Sequence, residues 1–213
     1  MDKKNVLAIW CFKKDLPLKR ITKEENTFVK SMSDEGAYQF IHSRGYARYA
    51  LAKVFNQKPL EIPLKAEPQS PPRLPQGYGY ISISHCKDML AIVWSCKKVG
   101  IDIERFDRKI SGINYFRNLF LDDLNSINID IQDNKRISSQ ILDFWVLYES
   151  LAKWERSSIF KGLKDWKLSH NLNYGENNKG FKVKIQKIDL IEWKIGLASN
   201  HLRNFHPLQV CFN

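Results

Sequence analysis

The spacing of apolar and polar positions predicts that strands and helices are mixed along the first half of the chain. The apolar run at residues 6–12 is typical of a buried strand. Ser33, followed by two acidic residues, indicates the start of a helix, and apolar positions at helical spacing extend one or two helices to Phe55. Short alternating runs predict two further strands at residues 80–84 and 90–95.

The second half of the chain has a similar mixture of elements. Periodicity and turn composition predict helices near residues 115–121 and 138–154, a turn at residues 171–180, and strands at residues 181–188, 193–198 and 208–212. The two halves have similar length, and residues 96–98 are a suitable junction. The pattern therefore favours an α+β fold and is compatible with two related lobes.

The bulk composition limits the class of protein. The chain has 213 residues, of which 43% are apolar, so it can bury the core of one large domain or of two small lobes. The apolar run at residues 6–12 is too short to cross a bilayer, and we expect no membrane partner. The N-terminus lacks a small-residue cleavage site, which favours a cytoplasmic protein. None of the four cysteines lies in a CxxC pair, which argues against a zinc site.

The charge of the chain indicates the chemistry of its partners. Lysine and arginine number 34 against 23 acidic residues, which gives a formal net charge of +11. Such a surface attracts anions and acidic proteins and accelerates their association. The basic residues are dispersed and no nucleic-acid-binding motif is present, so we do not expect a nucleic-acid partner.

Two short motifs hold the residues best suited to chemistry. In Val-Gly-Ile-Asp-Ile-Glu at residues 99–104, strand alternation places Asp102 and Glu104 on one face. In the apolar helix that follows, Glu149 and Lys153 are four residues apart and project together. If this helix lies against that strand, three carboxylates converge beside one ammonium group. Hard oxygen ligands in that number suit Mg²⁺, and the lysine can then face a phosphate.

Each motif also has a simpler structural interpretation. An Asp-x-Glu on a strand is often the solvent face of an edge strand, and a Glu–Lys pair at this spacing is often a surface pair that contributes about 0.2–0.5 kcal/mol. The apolar surroundings of Glu149 favour a site, because a charge in so apolar a helix is costly unless another group compensates it.

Three motifs in chain order resemble the 4'-phosphopantetheinyl transferases, most closely the two-lobed surfactin-synthetase-activating type. They are Ile-Ser-His at residues 83–85, Gly-Ile-Asp-Ile-Glu at residues 100–104 and Trp-x-x-x-Glu-Ser-x-x-Lys at residues 145–153. That family transfers the phosphopantetheine arm of coenzyme A to a serine of an acyl- or peptidyl-carrier protein and releases adenosine 3',5'-bisphosphate. The resemblance implies a monomeric pseudo-dimer of lobes 1–97 and 98–213, with the active site in the cleft between them.

The resemblance also assigns roles to the two acidic motifs. It implies that Asp102, Glu104 and Glu149 hold Mg²⁺ on the pyrophosphate of coenzyme A. Glu149 would also be the base that activates the carrier serine, directly or through water. Lys153 would meet the charge that develops as the pyrophosphate ester breaks. The acidic carrier protein would dock on a basic rim, in agreement with the net charge of +11.

A second group of residues is implied to bind coenzyme A. Ser84 and His85 would contact a phosphate, Arg44 would bind the 3'-phosphate, and Arg48 would assist one turn later. Arg73 stands in for the lysine of a Gly-Lys-Pro segment that this chain replaces with a proline-rich loop. The alternative is that Ser84 and His85 form an ordinary strand end and that the arginines are solvated.

Other positions depart from the family pattern. Tyr148 stands where the family usually has a lysine, and Cys86 stands where many relatives have a second serine. The Lys-Gly-Leu at residues 161–163 resembles a family turn displaced by a few residues. The first departure leaves the metal ligands unchanged, and we expect it to alter contacts to the phosphate or to the carrier protein.

Two other functions remain open from the residues alone. The same carboxylates would serve a Mg²⁺-dependent nuclease or phosphatase. A basic protein that binds nucleic acid without catalysis is the third alternative, and it predicts an affinity that falls steeply with salt.

Overall fold

The computed structural model describes residues 6–65, 67–68, 70–109, 113–126, 134–200 and 211–212. The chain combines helices with mainly antiparallel strands, and this confirms the α+β class. The chain divides into two compact units, one made of Met1–Lys98 with His206–Asn213 and the other of Val99–Phe205. The sequence prediction extended the second lobe to residue 213, and the described residues 211–212 pair with the strand at residues 7–13 in the first unit.

The elements occur in a simple order along the chain. They are β1 (Leu7–Lys13), α1 (Lys23–Val29), α2 (Asp34–Phe55), a short 3₁₀ turn (Pro59–Glu61), β2 (Tyr80–His85), β3 (Met89–Ser95), β4 (Val99–Arg105), α3 (Ile113–Leu119), α4 (Leu121–Ser126), α5 (Asn134–Glu155), α6 (Ile159–Asp165), β5 (Trp166–Leu168), β6 (Tyr174–Asn177), β7 (Lys182–Asp189), β8 (Trp193–Ser199) and β9 (Cys211–Phe212). No helix within the described ranges is long and apolar enough to cross a membrane.

The first unit is a four-stranded sheet on which α2 packs. Its strand order is β2-β3-β1-β9, and β9 joins the unit because it pairs in parallel with β1. The Ser33 hydroxyl accepts a hydrogen bond from the Gly36 amide, which confirms the predicted start of α2. A single helix of 22 residues then runs to Phe55 and ends at Asn56, whose φ of 53° is left-handed.

The core of the first unit lies between α2 and the sheet. Its buried side chains come from β1, α2, β2, β3 and the segment before the proline-rich loop: Trp10, Phe12, Tyr46, Ala47, Ala50, Leu51, Ile62, Leu64, Ile81, Leu90, Ile92 and Trp94. Burial of such large apolar side chains is the main force that fixes α2 on the sheet.

The second unit is a five-stranded antiparallel sheet with the order β4-β8-β7-β6-β5. The long helix α5 packs on β4 and β8, and its remaining apolar side chains build the core with α4, β5 and β7. The buried aromatic members of this core are Phe120, Phe144, Tyr148, Trp154 and Trp166. The predicted helix at residues 138–154 is therefore confirmed as the central helix of this unit.

Five short elements were not predicted. They are α1, α4, α6, β5 and β6, and β6 lies inside the segment predicted as a turn. Elements of three to seven residues are too short to show a period, and β6 has the sequence Tyr-Gly-Glu-Asn, without apolar alternation. It is a strand because its backbone pairs with β7 and β5. Residues 208–210 of the predicted last strand lie outside the described residues.

The two units share an order of strand, long helix and hairpin, to which each adds further elements. In the first unit, β1 leads to α2 and then to the β2–β3 hairpin, whose second strand pairs antiparallel with β1. In the second unit, β4 leads to α5 and later to the β7–β8 hairpin, whose second strand pairs antiparallel with β4. Each unit therefore has one 22-residue helix between its first strand and its hairpin in chain order.

Candidate functional site

Two glycines allow α5 to lie directly on the strands of the second unit. A Cβ at Gly196 of β8 would overlap the carbonyl oxygen of Val146, and a Cβ at Gly100 of β4 would overlap the carbonyl oxygen of Ser150. Glycine inside a strand often marks such a close backbone approach. Because Gly196 is the cross-strand partner of Asp102, the helix passes beside this carboxylate.

Asp102 and Lys153 meet at this crossing. Asp102 is buried on β4, with 4% of its surface exposed, and Lys153 Nζ lies 2.7 Å from its Oδ1. The structure therefore brings the strand motif and the helix motif together, which is the condition on which the predicted site depends. A buried carboxylate needs such a partner, since an uncompensated charge in the interior is strongly unfavourable.

Glu104 lies two residues further along β4 and is largely buried. Arg108 donates from Nη1 to Glu104 Oε1. Burial and the negative charge of Asp102 raise the pKa of Glu104 from its ordinary 4.5 to about 7, against the opposing effect of Arg108 and Lys153. The negative charge of Glu149 contributes to the same rise in the pKa of Glu104.

Glu149 projects from α5 beside Lys153. Burial, followed by the charge of Asp102, raises the pKa of Glu149, while Lys153 and Arg108 lower it. Asp102, Glu104 and Glu149 therefore form a group of three carboxylates that interact electrostatically, together with the cations Lys153 and Arg108. Additional positive charge at this group would relieve the repulsion between the carboxylates.

The donor set suits a hard divalent cation. Carboxylate oxygens are the ligands that Mg²⁺ prefers. Among the residues that the structure describes, no three His, Cys, Asp or Glu side chains are already arranged as a metal centre. Instead, Lys153 forms an ion pair with Asp102, and Arg108 forms an ion pair with Glu104. The carboxylates thus fit Mg²⁺ by the chemistry of their oxygens, and a bound cation would replace Lys153 and Arg108 as their partners.

The predicted coenzyme A residues lie in the first unit. Ser84 is buried at the end of β2, whereas His85 is exposed and its Nδ1 lies 3.2 Å from Gln39 Nε2. Arg44 of α2 donates to Ser43 Oγ at 3.2 Å, and its guanidinium lies 4.8 Å from the centroid of the Phe40 ring. His85 and Arg44 are therefore held in defined positions by their neighbours.

Arg48 has a structural position, which argues against its predicted contact with a phosphate. Its guanidinium is buried and forms a bidentate pair with Glu25 at 2.9 and 3.0 Å. It also donates to the carbonyl oxygens of Ile62 and Leu64. These bonds engage four of its five N–H groups and tie α1 and the segment after α2 to α2 itself. Spacing cannot reveal this, since Glu25 lies 23 positions away.

Arg73 lies in the proline-rich loop and is exposed. The backbone amide of Arg73 donates to the Lys65 carbonyl oxygen at 2.7 Å, and the Lys65 amide donates to the Arg73 carbonyl oxygen at 2.9 Å. This bridge fixes the backbone at Arg73, while the exposed side chain extends from it. The role predicted for Arg73 stays a prediction.

The departures at Tyr148, Cys86 and the Lys-Gly-Leu segment have structural explanations. The Tyr148 hydroxyl donates to Asp123 Oδ2 at 3.0 Å and its ring stacks on Phe120, so this residue joins α5 to α4 within the core. Burial raises the pKa of the Cys86 thiol to about 11, which keeps it protonated and unreactive at neutral pH. Lys161 and its two successors lie within α6, not in a turn.

Sequence reasoning missed Gly100, Gly196 and Arg108 as contributors to the site. Glycines inside strand patterns are a signal for the first two. Arg108 is four residues after Glu104, but the chain is not helical there, so only the structure reveals the pair. A comparison with protein-family models and with curated proteins finds no match to the chain.

Proposed function

We propose that this protein transfers the 4'-phosphopantetheine arm of coenzyme A to a serine of an acidic apo acyl- or peptidyl-carrier protein. The observation that carries the proposal is the meeting of Asp102, Glu104, Glu149 and Lys153 where α5 crosses β4. These are the residues whose order along the chain resembles the phosphopantetheinyl transferases. The site accordingly combines acid oxygens for a cation with an ammonium group for a phosphate.

Asp102, Glu104 and Glu149 are the residues that would hold Mg²⁺. When bound, Mg²⁺ supplies charge neutralisation on the phosphate oxygens, as it does in other phosphoryl-transfer enzymes. The raised pKa values of Glu104 and Glu149 favour this role, because a site in which carboxylates repel one another gains from a cation.

The chain's own residues can carry the proton and the charge of the reaction. The serine oxygen of the carrier forms a bond to the phosphorus that bears pantetheine, and the bond from that phosphorus to the bridging oxygen breaks. The serine proton passes to Glu149, whose raised pKa makes its carboxylate a stronger base. Lys153 neutralises the charge on the departing adenosine 3',5'-bisphosphate. Positioning and charge neutralisation provide most of the catalysis in such transfers.

The first unit supplies the groups that we assign to coenzyme A. We assign a phosphate to Ser84 and His85, the 3'-phosphate to Arg44, and a further contact to Arg73. Arg48 is not included, since its guanidinium is engaged by Glu25 within the first unit. The shared order of strand, helix and hairpin supports the proposal that the two units are the related lobes of a pseudo-dimer.

The positive net charge of the chain supports an acidic carrier protein as its partner. The net charge of +11 favours an acidic carrier protein over a neutral one and increases the rate of encounter. We propose that the protein acts as a monomer in the cytoplasm, where coenzyme A and carrier proteins are its two substrates.

Mass spectrometry of the carrier protein tests the proposal. An apo-carrier incubated with the protein, coenzyme A and Mg²⁺ should gain the mass of one phosphopantetheine, and removal of Mg²⁺ with a chelator should prevent the gain. Glu149→Gln should abolish transfer, because it keeps the volume but removes the charge and the basicity. Glu176→Gln, a surface change in the same unit, is the matched control. Cleavage of nucleic acid or of phosphate monoesters without transfer would show the Mg²⁺-dependent hydrolase instead.

A further inference from the structure

Arg108 connects the carboxylate group to an aromatic surface of α5. Its Nη1 donates to Glu104 Oε1, and its Cζ lies 5.4 Å from the centroid of the Trp145 ring. Phe116 of α3 meets the same ring edge-on, with the centroids 5.5 Å apart. The guanidinium is therefore held both by a carboxylate and by a ring that is itself fixed.

The charge of Arg108 reaches more than one carboxylate. It opposes the rise in the pKa of both Glu104 and Glu149, as Lys153 also does. In this arrangement Lys153 compensates Asp102 and Arg108 compensates Glu104. Arg108 is also accessible to a ligand, because 42% of its side chain is exposed.

We infer that Arg108 is a phosphate-binding residue that becomes available only when a divalent cation is bound. Glu104 exchanges the guanidinium for the cation, and Arg108, still held over Trp145, then pairs with a phosphate of the substrate. Arginine suits this exchange, since a planar guanidinium can keep its contact with a ring while its edge N–H groups turn from a carboxylate to a phosphate. The inference rests on the proposed function, because it takes Glu104 as a Mg²⁺ ligand and a phosphate as the substrate group.

The exchange predicts two effects of opposite sign for Arg108→Ala. In the absence of a phosphate ligand, the variant should bind Mg²⁺ about two- to fivefold more tightly, because Glu104 no longer has an internal partner to release. At saturating Mg²⁺, it should bind ADP and coenzyme A about tenfold or more weakly, because a charge-assisted pair with phosphate is lost. A merely structural role would weaken both kinds of binding.

Calorimetric titration of the full chain measures both effects. Mg²⁺ is titrated alone, and ADP and coenzyme A are then titrated at saturating Mg²⁺. Lys109→Ala is the matched control, since it removes the same charge one residue later from an exposed side chain. It should leave both affinities within about twofold of the wild type, as expected for an exposed charge. Arg108→Lys should restore the Mg²⁺ affinity, because it restores the competing charge.

Each outcome decides the inference. Tighter Mg²⁺ binding with weaker ADP binding in Arg108→Ala supports it, whereas losses of both, or no change in either, overturn it. Equal tightening by Lys109→Ala also overturns it, because the effect would then be one of overall charge. A wild type that does not bind Mg²⁺ overturns both this inference and the proposed metal site. A wild type that binds Mg²⁺ and ADP but does not modify a carrier overturns the proposed function and leaves the role of Arg108 intact.

Discussion

Gly196 lies directly opposite Asp102 in the β4–β8 pair, and the backbone of Val146 in α5 passes over this glycine. No side chain separates the helix from the sheet at this point. Because the helix is so close, Lys153 can reach Asp102 with an ion pair of 2.7 Å. The position of a glycine thus determines how the charged residues of two distant sequence motifs meet.

Gly196→Ala should displace α5 and weaken the carboxylate group. Its Cβ would overlap backbone atoms of Val146 and Leu147, which cannot move aside as a flexible side chain can. We expect a loss of about 1–3 kcal/mol in the free energy of unfolding, measured in urea, together with weaker Mg²⁺ binding. Gly36→Ala at the start of α2 is the control, since its nearest neighbour is the Ser33 hydroxyl oxygen at 3.2 Å. Equal stability of the two variants would contradict the close approach.

Glu104 should make the metal-free protein less stable as the pH rises. Its folded pKa of about 7 lies above the ordinary 4.5, so the folded state binds the proton more tightly than the unfolded state between these values. The free energy of unfolding should therefore fall from pH 4.5 to about pH 7, by about 3 kcal/mol at most. Glu104→Gln should remove this part of the pH dependence in urea titrations without divalent cations. A variant with the wild-type profile would show that Glu104 is not the group that titrates.

Lys153→Ala should lower kcat more than it raises the KM for coenzyme A. Its charge is needed most where negative charge develops in the transition state. Steady-state kinetics with an apo-carrier separate the two constants, and an effect confined to KM would instead make Lys153 a ground-state phosphate ligand. Lys161→Ala is the matched control, since Lys161 forms exposed ion pairs with Asp165 and Glu155.

Arg48→Ala should lower the free energy of unfolding of the first unit. It should not lower the affinity for coenzyme A by removing a direct contact. It leaves the buried Glu25 carboxylate without the guanidinium that pairs with it, a change that costs about 3–5 kcal/mol. Chemical denaturation measures this loss. Lys58→Ala breaks the exposed pair with Glu61 and should cost less than about 1 kcal/mol. If Arg48→Ala kept full stability but lost affinity for coenzyme A, the structural role of Arg48 would be refuted.

Arg44→Ala should weaken binding of coenzyme A but hardly affect 3'-dephospho-coenzyme A. A charge-assisted pair with the 3'-phosphate is worth about 1.5–3 kcal/mol, or roughly 10- to 150-fold in affinity. Calorimetry with both ligands tests this, and Lys53→Ala, at the other end of α2, is the control. Equal losses for both ligands would point to the packing of Arg44 on Phe40 as its role.

The sequence by itself determined the local arrangement of the candidate site. Strand alternation fixed Asp102 and Glu104 on one face of β4, and helical spacing fixed Glu149 beside Lys153 on α5. The start of α2 also depended on neighbouring residues alone, because the hydroxyl of the serine before two acidic residues accepts a hydrogen bond from a backbone amide in the first turn. Such features depend on the geometry of a few neighbouring residues, and a period or a capping residue is enough to show them.

Only the tertiary structure decided which charged residues are buried and with what partner. Arg44 and Arg48 are one turn apart on α2, yet Glu25 engages Arg48 in a buried pair while Arg44 packs on Phe40. The strand β6 exists because β7 pairs with its backbone, and Glu104 meets Arg108 because the chain bends after β4. The physical reason is that burial and ion pairing depend on groups that are distant along the chain, or that are close along it in an irregular segment. Neither case leaves a periodic pattern in the sequence.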